Sequence, residues 1–120
     1  MRILVADRQA KVRFALRVLL ERQPGFEIVG EASNVTDLLA QAAAEDPELV
    51  LFDWDLAAPT ATGLLLALRR ACPDVTVIAL SGRAEVRRAA LDAGADAFVS
   101  KGDPPEVLLT AIRPCAADQP

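Results

Sequence analysis

The chain has 120 residues, of which 52% are hydrophobic and 25% are charged, and its formal net charge is −4. This length suits one domain with its own core, and the composition is that of a globular protein rather than a disordered one. The acidic balance argues against direct contact with nucleic acid, because modules that bind it usually present a basic face. The chain contains no His, which excludes His-activated serine or cysteine nucleophiles and removes the commonest transition-metal ligand.

The sequence also predicts where the protein works. No apolar run is as long as a membrane span, and the run Leu64–Leu68 stops at Arg69 and Arg70. The first residues enter a strand-like segment without the pattern of a signal peptide. Cys72 and Cys115 lie far apart, outside any metal or redox motif, and are interpreted as free thiols. We therefore expect a cytoplasmic protein that makes no membrane contact.

Short apolar runs alternate with segments of helical periodicity along the first half of the chain. They predict strand Arg2–Ala6, helix Lys11–Glu21, strand Phe26–Ala32, a helix capped by Ser33 or Asn34 that ends near Glu45, and strand Leu49–Phe52. The third strand is an unbroken apolar run, which is typical of a strand covered on both faces.

The second half continues the alternation. It predicts a loop over Asp53–Ala61, a helix capped by Thr62 that ends at Arg70, strand Val75–Leu80, helix Ala84–Ala93, strand Ala97–Ser100, a last helix opened by Asp103, Pro104 and Glu106 that ends near Arg113, and a linker or disordered tail over Pro114–Pro120. Five strands alternating with five helices predict a doubly wound parallel sheet in three layers, α/β/α, over residues 1–113.

Four polar residues end the predicted strands. Asp7 follows the first strand, Asp53 the third, Ser81 the fourth and Lys101 the fifth. In parallel α/β sheets these ends converge on one edge, where ligands bind. Carboxylates suit Mg²⁺ or can attack a phosphoryl group, and a hydroxyl and an ammonium can hold phosphoryl oxygens. The alternative interpretations are that Asp7 only caps the first helix and that Asp53 is a solvated loop acid.

These residues lie in stretches that resemble the receiver domain of bacterial two-component response regulators. The matching stretches, in order, are Ile3–Asp7, Val29–Ala32, Pro47–Asp53, Ile78–Gly82 and Ala93–Lys101. The resemblance covers residues 1–113 and implies a flavodoxin-like (βα)₅ fold. It implies that Asp53 is the phosphoacceptor and that Asp7, Asp53 and the backbone carbonyl of Asp55 bind Mg²⁺. It also implies that Ser81 is the switch hydroxyl, Lys101 the phosphate-binding lysine and Phe98 the aromatic switch residue.

The position of the acceptor has an alternative. Asp53 is the acceptor when positions are counted forward from Pro47, whereas Asp55 fits when they are counted back from Pro59 and Gly63. We favour Asp53, because it is the first polar residue after the buried run, and the loop that follows then carries two extra residues.

The chain departs from the family beside the acceptor. Most receivers have two adjacent acidic residues after the first strand, but here Arg8 follows Asp7. This change replaces a negative charge with a positive one and is expected to weaken Mg²⁺ binding. Asp55 and Arg83 could pair across the mouth of the site, although an exposed flexible loop is the simpler expectation. Gly82 is grouped with Arg8 and Arg83 as a residue that modifies the site, and Trp54 is expected to be partly exposed beside it.

The leading functional hypothesis is reception of a phosphoryl group from a sensor histidine kinase onto Asp53, which then switches an interaction surface. Expected partners are that kinase, a second copy of the chain, and a C-terminal DNA-binding output domain that these residues do not include. The first alternative is an atypical receiver that acts as a phosphorylation-independent interaction module, which Arg8 favours. A remoter alternative is a flavodoxin-like nucleotide-binding protein, but no glycine-rich phosphate loop follows a predicted strand.

Overall fold

The computed structural model describes residues 1–57 and 60–117, with side chains up to residue 114. Over these residues the strands are β1 (Arg2–Ala6), β2 (Glu27–Ala32), β3 (Leu49–Asp53), β4 (Thr76–Ser81) and β5 (Ala97–Ser100). The helices are α1 (Ala10–Glu21), α2 (Val35–Glu45), α3 (Trp54–Ala57), α4 (Ala61–Ala71), α5 (Arg87–Asp92), which a 3₁₀ turn at Ala84–Val86 precedes, and α6 (Pro105–Ala117).

The five strands form one parallel sheet in the order β2-β1-β3-β4-β5, which confirms the predicted flavodoxin-like fold. The strand order reverses between β1 and β3, which is the place where such sheets open a crevice at their carboxyl edge. In the register Ala6 pairs with Phe52, so the next residue of each strand, Asp7 and Asp53, stands at the mouth of this crevice.

The core consists of two apolar layers, one on each face of the sheet. Leu49 and Leu51 point toward α1 and α6, whereas Val50 and Phe52 point toward α2 and α4. Every residue of β3 is buried, so the central strand is covered on both faces, as its unbroken apolar run predicts. This packing on two faces fixes the carboxyl ends of β1, β3 and β4 relative to one another.

The predicted loop after β3 is wrong in part, because residues 54–57 form the short helix α3. Trp54 is 9% exposed and Ala57 is 1% exposed, so the segment packs into the core and Trp54 is not the partly exposed residue that we expected. The next helix begins at Ala61, so Thr62 lies inside it and does not cap it. The hydroxyl of Thr60 donates to the carbonyl of Ala57 instead.

The predicted last helix also differs from the structure at both ends. It begins at Pro105, and the Asp103 carboxylate accepts a hydrogen bond from the Ser100 backbone N–H. The helix then continues through Pro114 to Ala117 rather than ending near Arg113. Proline removes one backbone donor but does not end every helix, and Leu108 and Ile112 hold this one against the sheet. The domain boundary at residue 113 stays a prediction, and residues 118–120 lie outside the described chain.

Candidate functional site

Buried polarity is concentrated at the carboxyl edge of the sheet. Among the described residues, the buried polar or charged ones are Asp7, Asp53 and Ser81, each no more than 2% exposed. Burying a carboxylate is costly unless donors or cations compensate it. Two carboxylates are buried at this edge of the sheet, so the donors and cations that compensate their charge define the site.

Lys101 compensates both acids at once. Its Nζ lies 2.7 Å from Asp7 Oδ2 and 3.3 Å from Asp53 Oδ1. The lysine follows β5 directly, and its backbone N–H donates to the Ser81 carbonyl at 2.8 Å, which anchors the side chain at the end of the sheet. The lysine side chain is 25% exposed, so one ammonium reaches inward from the rim and is shared by two carboxylates.

Arg8 is the second cation at this edge. Its Nε lies 3.7 Å from Asp53 Oδ2, and its side chain is 61% exposed. At about 4 Å and an effective dielectric near 20, the attraction is about 4 kcal/mol before desolvation and side-chain entropy are counted. An exposed ion pair retains about 1 kcal/mol of this or less. Arg8 therefore contributes little to stability but places a positive charge beside the Asp53 carboxylate.

Each buried polar side chain is held by the backbone that follows it. The side chain of the residue accepts a hydrogen bond from the N–H two positions later: Gln9 N to Asp7 Oδ1 at 2.8 Å, Asp55 N to Asp53 Oδ1 at 3.2 Å, and Arg83 N to Ser81 Oγ at 3.0 Å. Short polar side chains commonly form such turns at the end of an element. The sharp turn after each strand thus also orients its functional side chain.

Asp55 and Arg83 form a second charge pair at the mouth of the site. Arg83 Nη2 donates to Asp55 Oδ1 at 2.6 Å, and the Asp55 side chain is 35% exposed. Asp55 lies on α3 rather than on a loop. Its carboxylate therefore faces the rim and is engaged by Arg83, whereas the carboxylate of Asp53 faces inward toward Lys101.

Two further residues from the sequence hypothesis lie apart from the acids. Phe98 is 4% exposed and packs in the core, with the guanidinium carbon of Arg87 5.1 Å from its ring centre. Gly82 is exposed, and a Cβ built on it meets no atom within 4 Å, so the local backbone does not require glycine there for space. The structure thus brings together Asp7, Asp53, Lys101 and Arg8, and it buries Phe98 in the core.

Sequence reasoning missed Arg13 as a support of the site. Its Nη1 donates to the backbone carbonyl of Asp7 at 2.7 Å, and its Nε lies 3.3 Å from Glu31 Oε1. A usable signal was present: Arg13 and Arg17 are four residues apart on one face of the predicted first helix, and Glu31 is an acid near the end of the predicted second strand.

The donor set can be tested against Mg²⁺. Asp7 and Asp53 supply the oxygen type that Mg²⁺ prefers. In the described part of the chain, however, no three His, Cys, Asp or Glu side chains form a group that could hold a metal ion. All four oxygens of the two buried carboxylates already face donors or cations, namely Gln9 N, Asp55 N, Lys101 Nζ and Arg8 Nε. As arranged here, the site fits a divalent cation poorly.

The chain also matches known proteins in sequence. The family model for the response regulator receiver domain matches residues 3–113. The nitrate/nitrite response regulator protein NarP of Escherichia coli is 33% identical over 113 residues, which are 92% of this chain and 53% of that protein. The transcriptional regulatory protein PdtaR of Mycobacterium tuberculosis is 36% identical over 115 residues, which are 92% and 54% respectively.

Solved structures share the fold. A two-component response regulator of the LuxR family from Aurantimonas sp. superposes with a TM-score of 0.86 at 26% identity, covering 98% of this chain and 86% of that one. The isolated REC domain of RcsB from Salmonella enterica serovar Typhimurium superposes with a TM-score of 0.85 at 22% identity, covering 99% and 90%. Fold and site define an α/β domain with two buried aspartates at its strand-order reversal. The chain belongs to the family of response regulator receiver domains.

Receiver domains share several general properties. Receiver domains are regulatory, interact with histidine kinases and as a family bind Mg²⁺. The chain spans about half the length of the curated relatives it matches, which are named as response or transcriptional regulators. No helix in the described residues has the length and apolarity needed to cross a membrane.

Proposed function

We propose that this domain receives a signal as a phosphoryl group on Asp53, and that it catalyses the transfer itself. The observation that carries the proposal is the position of Lys101 Nζ between Asp7 and Asp53, at 2.7 and 3.3 Å. Asp53 is a buried acid with an ammonium beside it that can hold phosphoryl oxygens. Asp55 is the weaker candidate, because its carboxylate is partly exposed and engaged by Arg83.

The roles of the surrounding residues follow from this acceptor. Lys101 and the Ser81 hydroxyl bind the oxygens of the new phosphate, and Phe98 responds to that rearrangement as the aromatic switch. Arg83 and Gly82 shape the mouth of the pocket. The added charge biases two arrangements of the surface around β4, α5 and β5. A sensor histidine kinase supplies the phosphoryl group, since the chain itself contains no His.

Mg²⁺ is the cofactor that the family implies. Asp7 and Asp53, with the backbone carbonyl of Asp55, are the groups that would hold it, and the bound ion would supply positive charge to the phosphoryl oxygens. Arg8 weakens this site in our proposal, because a metal ion must displace or tolerate a cation next to Asp53.

Intact-mass spectrometry after incubation with phosphoramidate and MgCl₂ tests the proposal. The wild-type protein is expected to gain one phosphoryl group, Asp53→Asn to gain none, and Asp55→Asn still to be modified. Asp92→Asn, in the exposed pair with Arg88, serves as a control for general loss of charge. Modification that survives in Asp53→Asn and disappears in Asp55→Asn would assign the acceptor to Asp55 instead.

A second candidate function is a phosphorylation-independent interaction module of the same fold. The ion pair of Arg8 with Asp53 favours it, because a permanent cation already occupies the carboxylate that would accept the phosphoryl group. The mass experiment separates the candidates: complete absence of modification in folded wild-type protein selects the interaction module.

We further propose that the domain, over residues 1–113, acts in the cytoplasm and passes its signal to a partner. That partner is a second copy of the chain or a C-terminal DNA-binding output domain. The support is that the relatives are named as transcriptional regulators and are about twice as long as this chain. Sedimentation of the domain before and after phosphorylation tests dimer formation.

A further inference from the structure

The charge balance of the site suggests how phosphoryl transfer is supported here. Two carboxylates, Asp7 and Asp53, face two cations, Lys101 and Arg8, so the formal charges sum to zero. The usual receiver pattern, with an acid where Arg8 stands, has three carboxylates and one lysine, which sum to −2. One divalent cation would bring that pattern to zero. This chain reaches the same balance with its own side chains.

The geometry leaves Arg8 able to act on a ligand. Its Nε is 3.7 Å from Asp53 Oδ2, longer than a hydrogen bond, and its side chain is 61% exposed. Among the described residues, Asp53 forms an ion pair with Arg8. A guanidinium offers five donors in a planar fork that fits the oxygens of a phosphoryl group in pairs. The remaining donors of Arg8 can therefore meet an incoming phosphoryl group while the side chain stays beside the acceptor.

We infer that Arg8, together with Lys101, supplies the positive charge for phosphoryl transfer to Asp53, so that the transfer does not depend on a divalent metal ion. This inference rests on the proposed function of Asp53. In the step, a carboxylate oxygen of Asp53 forms a bond to phosphorus as the phosphorus–nitrogen bond of a phosphoramidate or phosphohistidine breaks. The electron pair of the broken bond returns to that nitrogen: protonated phosphoramidate releases ammonia, phosphohistidine protonated on its other ring nitrogen releases a neutral imidazole, and the product on Asp53 is an acyl phosphate.

A purely inhibitory Arg8 makes the opposite prediction. If the guanidinium only occupied the acceptor, its removal would free Asp53 and speed modification. If the guanidinium instead stabilises the charge of the phosphoryl group, its removal slows modification. The sign of the change in rate thus separates the two roles without a structure of the phosphorylated protein.

The test compares four proteins: wild type, Arg8→Gln, Arg8→Asp, and the control Arg88→Gln, whose exposed arginine pairs with Asp92 on α5. Initial rates of modification by phosphoramidate are measured by intact mass, once with EDTA and once with saturating MgCl₂. Thermal melting shows that each variant is folded. We expect wild type and Arg88→Gln to react at the same rate as each other. For both proteins the rates in EDTA and in MgCl₂ should agree within about twofold. We expect Arg8→Gln to react about 100-fold more slowly in EDTA, which is the lower end of the effect of removing one charge-stabilising donor.

Arg8→Asp is the sharpest variant, because it restores the acidic pair of the family. It should be nearly inert in EDTA and recover with MgCl₂. Trp54, next to Asp53 in the chain and the single Trp, gives a readout that does not depend on transfer. Its emission should change saturably with Mg²⁺ in Arg8→Asp but not in wild type.

Two results would overturn the inference: a wild-type rate that rises more than about tenfold with MgCl₂, or an Arg8→Gln rate in EDTA equal to or above that of wild type. Failure of the underlying function looks different. In that case Asp53 stays unmodified in every folded variant, with or without the metal, and both proposals fall.

Discussion

Two clusters of arginine or lysine with carboxylates are linked by the hydrogen bond of Arg13 to the Asp7 carbonyl, and they are built in opposite ways. The acid cluster (Asp7, Asp53, Lys101 and Arg8) buries two carboxylates and shares one lysine between them. The flank cluster (Arg13, Arg17, Glu21 and Glu31), between α1 and β2, shares one carboxylate, Glu31, between two arginines.

The flank cluster is a closed structural contact. Glu31 is 26% exposed and receives both Arg13 and Arg17, and Arg17 also pairs with Glu21. The hydrogen bond to Glu31 raises the pKa of Arg17, so the cation is even harder to deprotonate. Its contacts with Glu31 tie α1 to β2, whereas its i,i+4 pair with Glu21 lies within α1. This cluster holds the helix in place.

The acid cluster is open by comparison. Its acids are 1 to 2% exposed, but Arg8 is mostly exposed and 3.7 Å from its partner, and Lys101 divides its charge between two acids. Cations arranged in this way can change partners when a third anion arrives. Residue composition alone therefore does not distinguish a structural ion cluster from a reactive one. The burial of the acids and the exposure and long contact distance of the cations do.

Removing the shared lysine should give the largest effect on stability. Lys101→Met leaves two buried acids beside each other with Arg8 as the remaining cation, and we expect the free energy of unfolding to fall by about 3 kcal/mol. Urea unfolding at neutral pH measures it. Lys11→Met, an exposed lysine on α1, is the matched control and should change stability by less than about 0.5 kcal/mol. A Lys101→Met protein as stable as the wild type would show that the acids are not held by this charge.

Breaking the flank cluster should lower the free energy of unfolding by less, and it should leave the rate of Asp53 phosphorylation nearly unchanged. Glu31→Gln removes the shared carboxylate, and we expect a loss of about 1 to 2 kcal/mol in the free energy of unfolding. The rate of Asp53 phosphorylation should stay within about twofold of wild type, because Arg13 keeps its hydrogen bond to the Asp7 carbonyl. Glu21→Gln, which removes one exposed pair, is the control for the weaker contact. A phosphorylation rate that falls as steeply as in Arg8→Gln would erase the distinction between the two clusters.

The pair at the mouth should contribute still less. Arg83→Gln removes the contact with Asp55, and because both side chains are partly exposed we expect a loss of less than about 1 kcal/mol. This small difference should shrink further at about 1 M salt, where exposed charges are screened. Urea unfolding at low and high salt measures both values. A salt-independent loss would mean that the pair is more buried in solution than its geometry indicates.

Cys72 differs from both clusters, because it is a buried titratable group outside their ion pairs. Burial raises the pKa of the Cys72 thiol above its ordinary value. The folded state therefore favours the neutral thiol: its contribution is fully present below the pKa of the unfolded thiol and is lost as the pH rises through the folded one. Between about pH 8 and pH 10 the wild type should lose slightly more stability than Cys72→Ala. Equal pH profiles would contradict the effect of burial.

Much of the fold could be predicted from the sequence. The bounds of β1 and β5 are as predicted, because short apolar runs ended by polar residues mark strands clearly. Helix α3 could not be predicted, since four residues carry too little periodicity and the segment is helical through the tertiary packing of Trp54 and Ala57. The extension of α6 past Pro114 could not be predicted for a similar reason: packing against the sheet overrides the local preference of proline.

The acid cluster was predictable in its members but not in its contacts. Parallel topology brings Asp7, Asp53, Ser81 and Lys101 to one edge, whatever their rotamers. Which oxygen faces which cation depends on side-chain geometry that no spacing encodes. The pairing of Arg8 with Asp53 at 3.7 Å is of this kind, because a surface arginine next to a strand end can equally point into water.

The most direct test of the account is to map the modified residue in protein phosphorylated without metal. Borohydride reduces an acyl phosphate on aspartate to homoserine, and peptide mass spectrometry locates that homoserine. After reaction with phosphoramidate in EDTA, the account predicts homoserine at position 53 in the wild type and its near absence in Arg8→Gln. Homoserine at position 55, or none until MgCl₂ is added, would contradict it.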